Sequence, residues 1–405
     1  MTAGLAVGPR LLDPAAGAAD LQAHLARPGP LPTGPELLAA VAAAGLSGRG
    51  GAAFPTHRKL ATVAAARGRK VVVGNGAEGE PASGKDRALL RAAPHLVLDG
   101  LQLAARIVGA HQIYLYVHRD AGPAQAAVAA RAGLGELPVE IVLAPHRFLA
   151  GEESALAAHL SGEPGLPRDT PPRVYERGVR GRPTLVQNVE TLAHLALICR
   201  YGPDWFRRLG TVDEPGSMLL TVTDPAGRAR VLEAPIGVRI GDLPGLDPVP
   251  AAVLVGGYHG SWLPGRVALD LPLSNAALRP YGASRGAGVV VALGADRCGV
   301  VESARVAGYL ARQSAGQCGP CLNGLPAIAA AFTELARGRH PELRARIERW
   351  AGLVEGRGAC HHPDGTVRFV RSALRVFAAE LDLHAAGRCT ATDRRPLLPV
   401  GEAGE

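Results

Sequence analysis

The sequence predicts a multidomain protein: an α/β domain with a parallel sheet, a small β-rich domain, and a C-terminal four-helix bundle. Three observations predict it. Between residues 70 and 144, apolar runs (VVV at 71–73, IYLYV at 113–117) alternate with helical periodicity, the pattern of parallel strands joined by right-handed crossovers. From Ser217 the texture changes to a hairpin, in which MLLTVT and RARVLEAP flank a DPAG turn. After GVVVALG, at 288–294, the periodicity is helical almost to the end. The expected divisions are a flexible arm at 1–32, the α/β domain at 33–211, the β-rich domain at 212–294, the bundle at 295–390 and a tail at 391–405.

Composition bounds the function. The 405 residues are 47% hydrophobic but only 4% aromatic, so alanine and valine carry most of the packing. The net charge is +8, yet the arginines are dispersed with few aromatics among them, which argues against nucleic-acid binding and for steering toward an acidic protein partner. No apolar run is long enough to span a bilayer, and MTAGLAVGPRLLDP lacks the basic start and apolar core of a signal peptide. The expected location is cytoplasmic, and six cysteines there suggest metal or redox chemistry rather than disulfides.

Taken in order, Thr33 and Glu36 read as a capping box, with Pro35 in the first turn and Gly45 as the stop of a helix over 33–44. The stretch SGRGGAAFPTHRKL follows. Residues 48–53 satisfy the dinucleotide pattern G-x-G-x-x-G/A, but they follow a helix rather than a strand, so that match is spurious. Gly48, Gly50 and Gly51 can instead bring backbone N–H groups close to an anion, and Thr56 can cap the next helix, whose N-terminus favours phosphate. The chain has 41 arginines and three lysines, and two of the lysines, Lys59 and Lys85, lie in this glycine-rich region. A compact ammonium kept there suits a point contact to phosphate or a cofactor ring.

Strand 70–74 leads into NGAEGEPASGKDR, then helix 95–108, strand 112–117, helix 121–132 and strand 138–144. Glu152 and Glu153 open the next helix, where adjacent acids ordinarily compensate the helix dipole. With Glu78 and Glu80 after another strand, they place four carboxylates at one sheet edge, which looks like a site. Gln187 or Asn188 caps a helix over 189–198, and Cys199 reads as a core residue.

The terminal helices are expected at 300–313, 323–337, 341–354 and 369–385, with Cys318-x-x-Cys321 in one connecting loop and Cys360 in another. Loops at one end of a bundle can meet, so three thiolates can converge. A thioredoxin-type dithiol needs a strand before the pair and is set aside. A Cys₃His zinc site using His361 or His362 and an iron–sulfur cluster both fit the spacing.

Together these stretches resemble the flavin-carrying subunit of respiratory complex I and its relatives in NAD-dependent hydrogenases and formate dehydrogenases. SGRGGAAFPTHRKL, NGAEGEPASGKDR, GEESAL, QNVETL, SAGQCGPCLNGL and SALRVF carry the likeness, which spans about residues 33–390. GGAAFPTHRKL and NGAEGEP are also similar to the flavin subunit of the Rnf ion-translocating complexes. The resemblance implies an FMN-binding α/β domain, a ubiquitin-like β-grasp domain of SLBB type and a helical bundle holding a [4Fe–4S] cluster. It implies that electrons pass from a reduced donor, NADH or another, through FMN and an iron–sulfur centre to a protein acceptor. That acceptor is a ferredoxin-like or thioredoxin-like iron–sulfur subunit, through which the protein can lie at the inner face of a membrane. A module exchanging electrons with a ferredoxin-like partner without NADH, and a non-catalytic assembly subunit, are the alternatives.

By that likeness, Gly48, Arg49, Gly50, Gly51 and Lys59 line the FMN phosphate and ring. Asn75, Glu78, Gly79, Glu80, Phe148, Gly151, Glu152, Glu153, Asn188 and Thr191 complete the pocket, with Glu80, Glu153 and Phe54 facing the nicotinamide. The sequence also departs from the pattern. Ala77 replaces an acid, Phe148 replaces a tyrosine, and Gln187 with Asn188 replaces an asparagine pair. Thr62, Thr170 and Arg173 stand where aromatics and a lysine embrace NADH. The first cysteine of the family's C-x-x-C-x-x-C falls on Ala315. By the resemblance, Cys318, Cys321 and Cys360 hold a cluster with a fourth ligand (Ser314, His361 or His362) or hold a [3Fe–4S] centre, or the cluster is lost, with Cys389 a more distant candidate.

Overall fold

The computed structural model describes residues 10–12, 20–26, 31–118 and 121–401. Four strands, β1 (Lys70–Gly76), β2 (Ala110–Val117), β3 (Val139–Leu143) and β4 (Thr184–Asn188), form a parallel sheet in the order β3-β2-β1-β4. Val71–Val73 and residues 113–117 are buried, as strands covered on both faces must be. The Pro94–Val108 and Val189–Arg207 helices cover one face, and Gly100 lets their backbones meet, since a Cβ there would run into the Leu192 carbonyl.

Strand β4 and the Lys85–Ala92 helix were not expected. The expected helix after residue 188 does begin at Val189, capped by Asn188, which accepts from Glu190 N–H at 3.0 Å, but the five residues before it extend the sheet. Glu78 caps the second surprise, accepting from Asp86 and Arg87 N–H at 3.2 and 3.3 Å. Two expected caps are not formed. The Leu37–Ala44 helix starts at Glu36 without a side-chain cap, and Thr56 is the first helical residue after Pro55. Gly45 does end its helix, in the left-handed region at φ 69°.

The second sheet contains β5 (Ser217–Thr223), β6 (Ala229–Pro235), β7 (Ala252–Val255), β8 (Ser261–Pro264) and β9 (Val289–Leu293), in the order β6-β5-β9-β7-β8. β5 and β6 form the expected antiparallel hairpin, and β5 pairs in parallel with β9 at the centre. The helical region holds Gly299–Arg312, Leu325–Ala336, Leu343–Val354, His362–Val376 and Ala378–Ala385. The last expected helix thus begins seven residues earlier than 369 and breaks at Phe377, leaving five helices rather than four among the described residues. Pro363 is compatible with the earlier start, since in the first helical turn its missing N–H costs nothing.

The two ends are tied down where they are described. Leu11 is buried and, with Arg10, donates its backbone N–H to Glu233 at 2.7 Å, while the Arg10 guanidinium sits 3.8 Å from the Trp205 ring centre. Near the other end, Leu397 and Leu398 donate to the buried Glu302 carboxylate at 3.1 and 2.9 Å. Residues 10–11 and 397–398 are thus anchored to the folded domains, whereas the Leu21–Ala26 helix buries none of its residues.

Candidate functional site

The loop 47–55 closes on itself through an antiparallel bridge between Ser47 and Pro55, with Gly48 N–H donating to the Phe54 carbonyl at 2.8 Å. It lies over the carboxyl ends of β1 and β4. Arg49 N–H donates to Thr191 Oγ1 at 2.9 Å, and a Cβ on Gly50 would sit 3.4 Å from Asn188 Cβ. Gly51 does need its glycine, at φ 113°. Gly48 and Gly50 do not: neither has positive φ, and an added Cβ would meet ordinary contacts at 3.5 and 3.4 Å. The fold leaves two bare backbone positions that its own packing does not demand, which fits a phosphate-bearing cofactor laid against the loop.

Arg49 turns away from this surface. Its guanidinium is buried and donates to Ser47 and Ser217 carbonyls at 2.9 and 3.2 Å, so the side chain braces the loop against β5. Burial pushes it down to about 10, with Glu190 opposing. Lys59 points the other way, pairing with Glu153 and donating to the Val186 carbonyl at 3.1 Å; burial lowers its ammonium to about 8. Phe54 is half-exposed on the loop rim.

Beneath the loop, Asn188 joins β1 and β4. Its amide donates to the Asn75 carbonyl at 3.3 Å and to Asp86 at 2.7 Å. Asn75 donates to the Gly151 carbonyl at 2.8 Å and accepts from Ala77 N–H at 3.2 Å. The loops after β1 and β3 meet backbone to backbone: a Cβ on Gly79 would collide with the Phe148 carbonyl, and one on Gly151 would lie 2.7 Å from the Ala77 oxygen. Buried Lys85 anchors this floor, 2.6 Å from Asp86 and 2.9 Å from Glu190, and those acids hold its ammonium above its ordinary value although burial opposes them. Asp86 and Glu190 went unread in the sequence; the rarity of lysine at Lys85 was the signal that pointed to them.

The four carboxylates are not equivalent. Glu78 caps a helix, and Glu152 caps the Glu153–Leu160 helix, accepting from Ser154 and Ala155 N–H at 3.0 and 2.9 Å. Glu80 reaches the second sheet and accepts from Tyr258 N–H at 2.8 Å; burial pushes its carboxyl up to about 7. Glu153 alone faces a cation, Lys59. Phe148 packs away from the glycine loop, its ring 4.8 Å from His259 and 5.6 Å from His362. The Thr62 hydroxyl donates to the Arg58 carbonyl and the Arg173 backbone N–H to Glu176.

The structure brings Cys318, Cys321 and Cys360 into one electrostatically linked group. Cys321 stands in a single π-turn, Pro320–Gly324, rather than in an open loop. Burial raises Cys321 to about 11 and also raises Cys360. Cys318 is raised by burial too, but N–H groups of Ala359 and Cys321 outweigh that and bring it below its ordinary value. His362 has both ring nitrogens engaged, with His259 at 3.0 Å and the Leu310 carbonyl at 2.8 Å, and His361 is 97% exposed. Neither histidine is presented to the thiols, which weakens a Cys₃His zinc set and suits a thiolate-held cluster.

Residues 41–197 match the family described as the Nuo51 FMN-binding domain, and residues 302–384 match the iron–sulfur binding region of NADH-ubiquinone oxidoreductase F. The chain is 30% identical over 396 residues to the F subunit of the NADH-quinone oxidoreductase of Mycobacterium bovis, covering 90% of this chain and 88% of that one. The second F subunit of the corresponding Rhizobium meliloti enzyme is 30% identical over 378 residues, covering 87% and 89%. Among solved structures, an NAD+-reducing [NiFe]-hydrogenase in the H2-reduced state superposes with a TM-score of 0.80 at 32% identity, covering 88% of this chain and 63% of the hydrogenase chain.

Proposed function

Because the chain belongs to the family of NADH-quinone oxidoreductase F subunits, we propose that its glycine loop and the floor beneath it hold FMN and that its three clustered thiols hold an iron–sulfur centre. The protein is an NADH dehydrogenase-like electron-transfer subunit. The observation that carries the site assignment is the pair of unneeded glycines, Gly48 and Gly50, over the carboxyl ends of β1 and β4. FMN supplies the conversion of a two-electron donor into single-electron steps, and the protein supplies position and field. The backbone N–H groups of Gly50 and Gly51 would receive the phosphate, since those of Gly48 and Arg49 are spent on the Phe54 carbonyl and Thr191 Oγ1. Lys59, tied to Glu153 and Val186, offers a positive charge to the ring, and Asn75 and Asn188 keep the two loops in register.

Glu80 ties the flavin domain to the second sheet, whose order, with a central parallel pair flanked by a hairpin on either side, supports a ubiquitin-like β-grasp unit of SLBB type. The onward acceptor is an iron–sulfur protein of ferredoxin-like or thioredoxin-like type. Through that partner the chain lies at the cytoplasmic face of a membrane complex; no helix among its own described residues is long and apolar enough to cross a membrane. The three thiols lack a fourth cysteine at Ala315, so one iron is held by Ser314 or is labile.

The test is an absorption and EPR study of anaerobically purified protein, with iron and FMN assayed. One FMN per chain is expected, with a cluster signal in the dithionite-reduced or air-oxidised sample that disappears in Cys321→Ser. Iron absent after anaerobic reconstitution would remove the cluster from this reading.

A further inference from the structure

A second group of metal-ligating side chains lies at the opposite end of the Gly299–Arg312 helix from the three thiols. Cys298 begins that helix and Cys318 lies beyond its end, so 14 helical residues separate the two sites, about 20 Å at 1.5 Å rise per residue. We propose that Cys298, Glu380, His384 and Cys389 form a structural zinc site that fastens the segment after the last helix to the start of the bundle.

Their ligand atoms all lie within 4.8 Å of one another. Cys298 Sγ is 3.3 Å from His384 Nε2 and 3.8 Å from Glu380 Oε1, and His384 Nε2 is 3.4 Å from Glu380 Oε1. A tetrahedral zinc with bonds of about 2.3 Å to sulfur and about 2.0–2.1 Å to nitrogen or oxygen spaces its ligand atoms roughly 3.3–3.8 Å apart. The three edges among Cys298, Glu380 and His384 match that figure, and Cys389 Sγ lies within 4.8 Å of all three.

The supporting contacts point the donors inward. His384 Nδ1 donates to the Ala336 carbonyl at 2.7 Å, which leaves the Nε2 lone pair facing the two sulfurs and the carboxylate. Glu380 is fixed by Thr390, whose N–H and hydroxyl donate at 2.9 and 2.7 Å. Cys298 Sγ accepts from Val301 N–H at 3.4 Å, which fixes the sulfur at the start of its helix. Glu380 and His384 sit one turn apart on the Ala378–Ala385 helix, Cys298 caps another helix, and Cys389 comes from the following segment. Two thiolates and an imidazole select zinc over the hard cations, and four protein donors close the shell, as in structural rather than catalytic sites.

The site explains how the last segment is held. Beyond Cys389, Thr392 and Asp393 donate to the Asp296 carbonyl at 2.9 Å, and Arg297 pairs with Asp393 at 3.0 Å, so both strands leaving the site stay together. Cys389 is exposed, so replacing it removes a ligand without opening the core.

The full chain, purified under reducing conditions, should carry one tightly held zinc by elemental analysis. That zinc should be lost in Cys389→Ser and in His384→Gln but kept in the Cys318→Ser/Cys321→Ser double variant, a pattern that separates this site from failure of the cluster. Cobalt reconstitution of the parent should give a thiolate charge-transfer band that Cys389→Ser lacks. Amides of 390–398 should exchange faster once the metal is removed. A parent without zinc after addition of one equivalent, zinc content unchanged in Cys389→Ser, or a Cys298–Cys389 disulfide in place of the metal would each overturn the proposal.

Discussion

Gly50 is the residue at which the binding reading is most exposed to test. Its added Cβ would meet only Asn188 Cβ at 3.4 Å, so valine there should leave the fold standing while placing methyl groups where a phosphate must approach. Gly50→Val should therefore purify with a melting temperature near the parent's and without flavin; equal flavin-to-protein absorbance in the two would refute the assignment. Glu80 provides a test by pH. Burial raises its carboxyl from the ordinary 4.5 to about 7, so the folded state holds that proton more tightly than the unfolded chain. The stability contributed is full below about pH 4.5 and is lost as pH rises through 7. Relative to Glu80→Gln, the parent should lose about 1–2 kcal/mol between pH 5 and pH 8, discounted from the full shift for partial exposure. Parallel denaturation profiles across that range would mean the carboxylate stays ionised.

At the scale of elements, three of the first sheet's four strands could be read because each is a short apolar run bounded by turns. β4 could not be, because TLVQN passes into its helix without a break and its extended conformation comes only from pairing with β1. The same reason hid Asn188's part in the floor, since Asp86 and Asn75 reach it from distant segments. The glycine loop was legible as a chemical object, whereas Arg49's inward turn was not, because the Ser217 and Pro215 carbonyls that draw it in lie more than 160 residues away. Two helices approach closely at Gly100. A methyl there strikes the Leu192 backbone, which cannot give way as a side chain would. Gly100→Ala should destabilise by about 1–3 kcal/mol in chemical denaturation. A neutral result would show that the two helices can slide apart.

For the whole molecule, the preserved cradle and the altered rim make opposite statements. Thr62, Thr170 and Arg173 sit exposed on the surface with no aromatic face among them, which leaves a nicotinamide nucleotide only Phe54 to stack on. Flavin bleaching by NADH in a stopped-flow instrument should be slow or absent, while dithionite reduces the flavin fully. Fast, saturable reduction at low micromolar NADH would show that other groups do the gripping. The charge of +8 fits an acidic electron-transfer partner better than a small donor, because steering acts over the whole surface.

The Glu302 carboxylate pairs with Arg305 one turn away, but its remaining hydrogen bonds come from amides 95 and 96 residues further along the chain. A ribosome adding about 5–20 residues per second needs roughly 5–20 s to supply them. Throughout that interval the emerging bundle carries an acid meant for burial and no groove-filling Leu397 or Leu398, a state that invites chaperone capture. Protein yield in the cell should then depend on translation speed between codons 302 and 398.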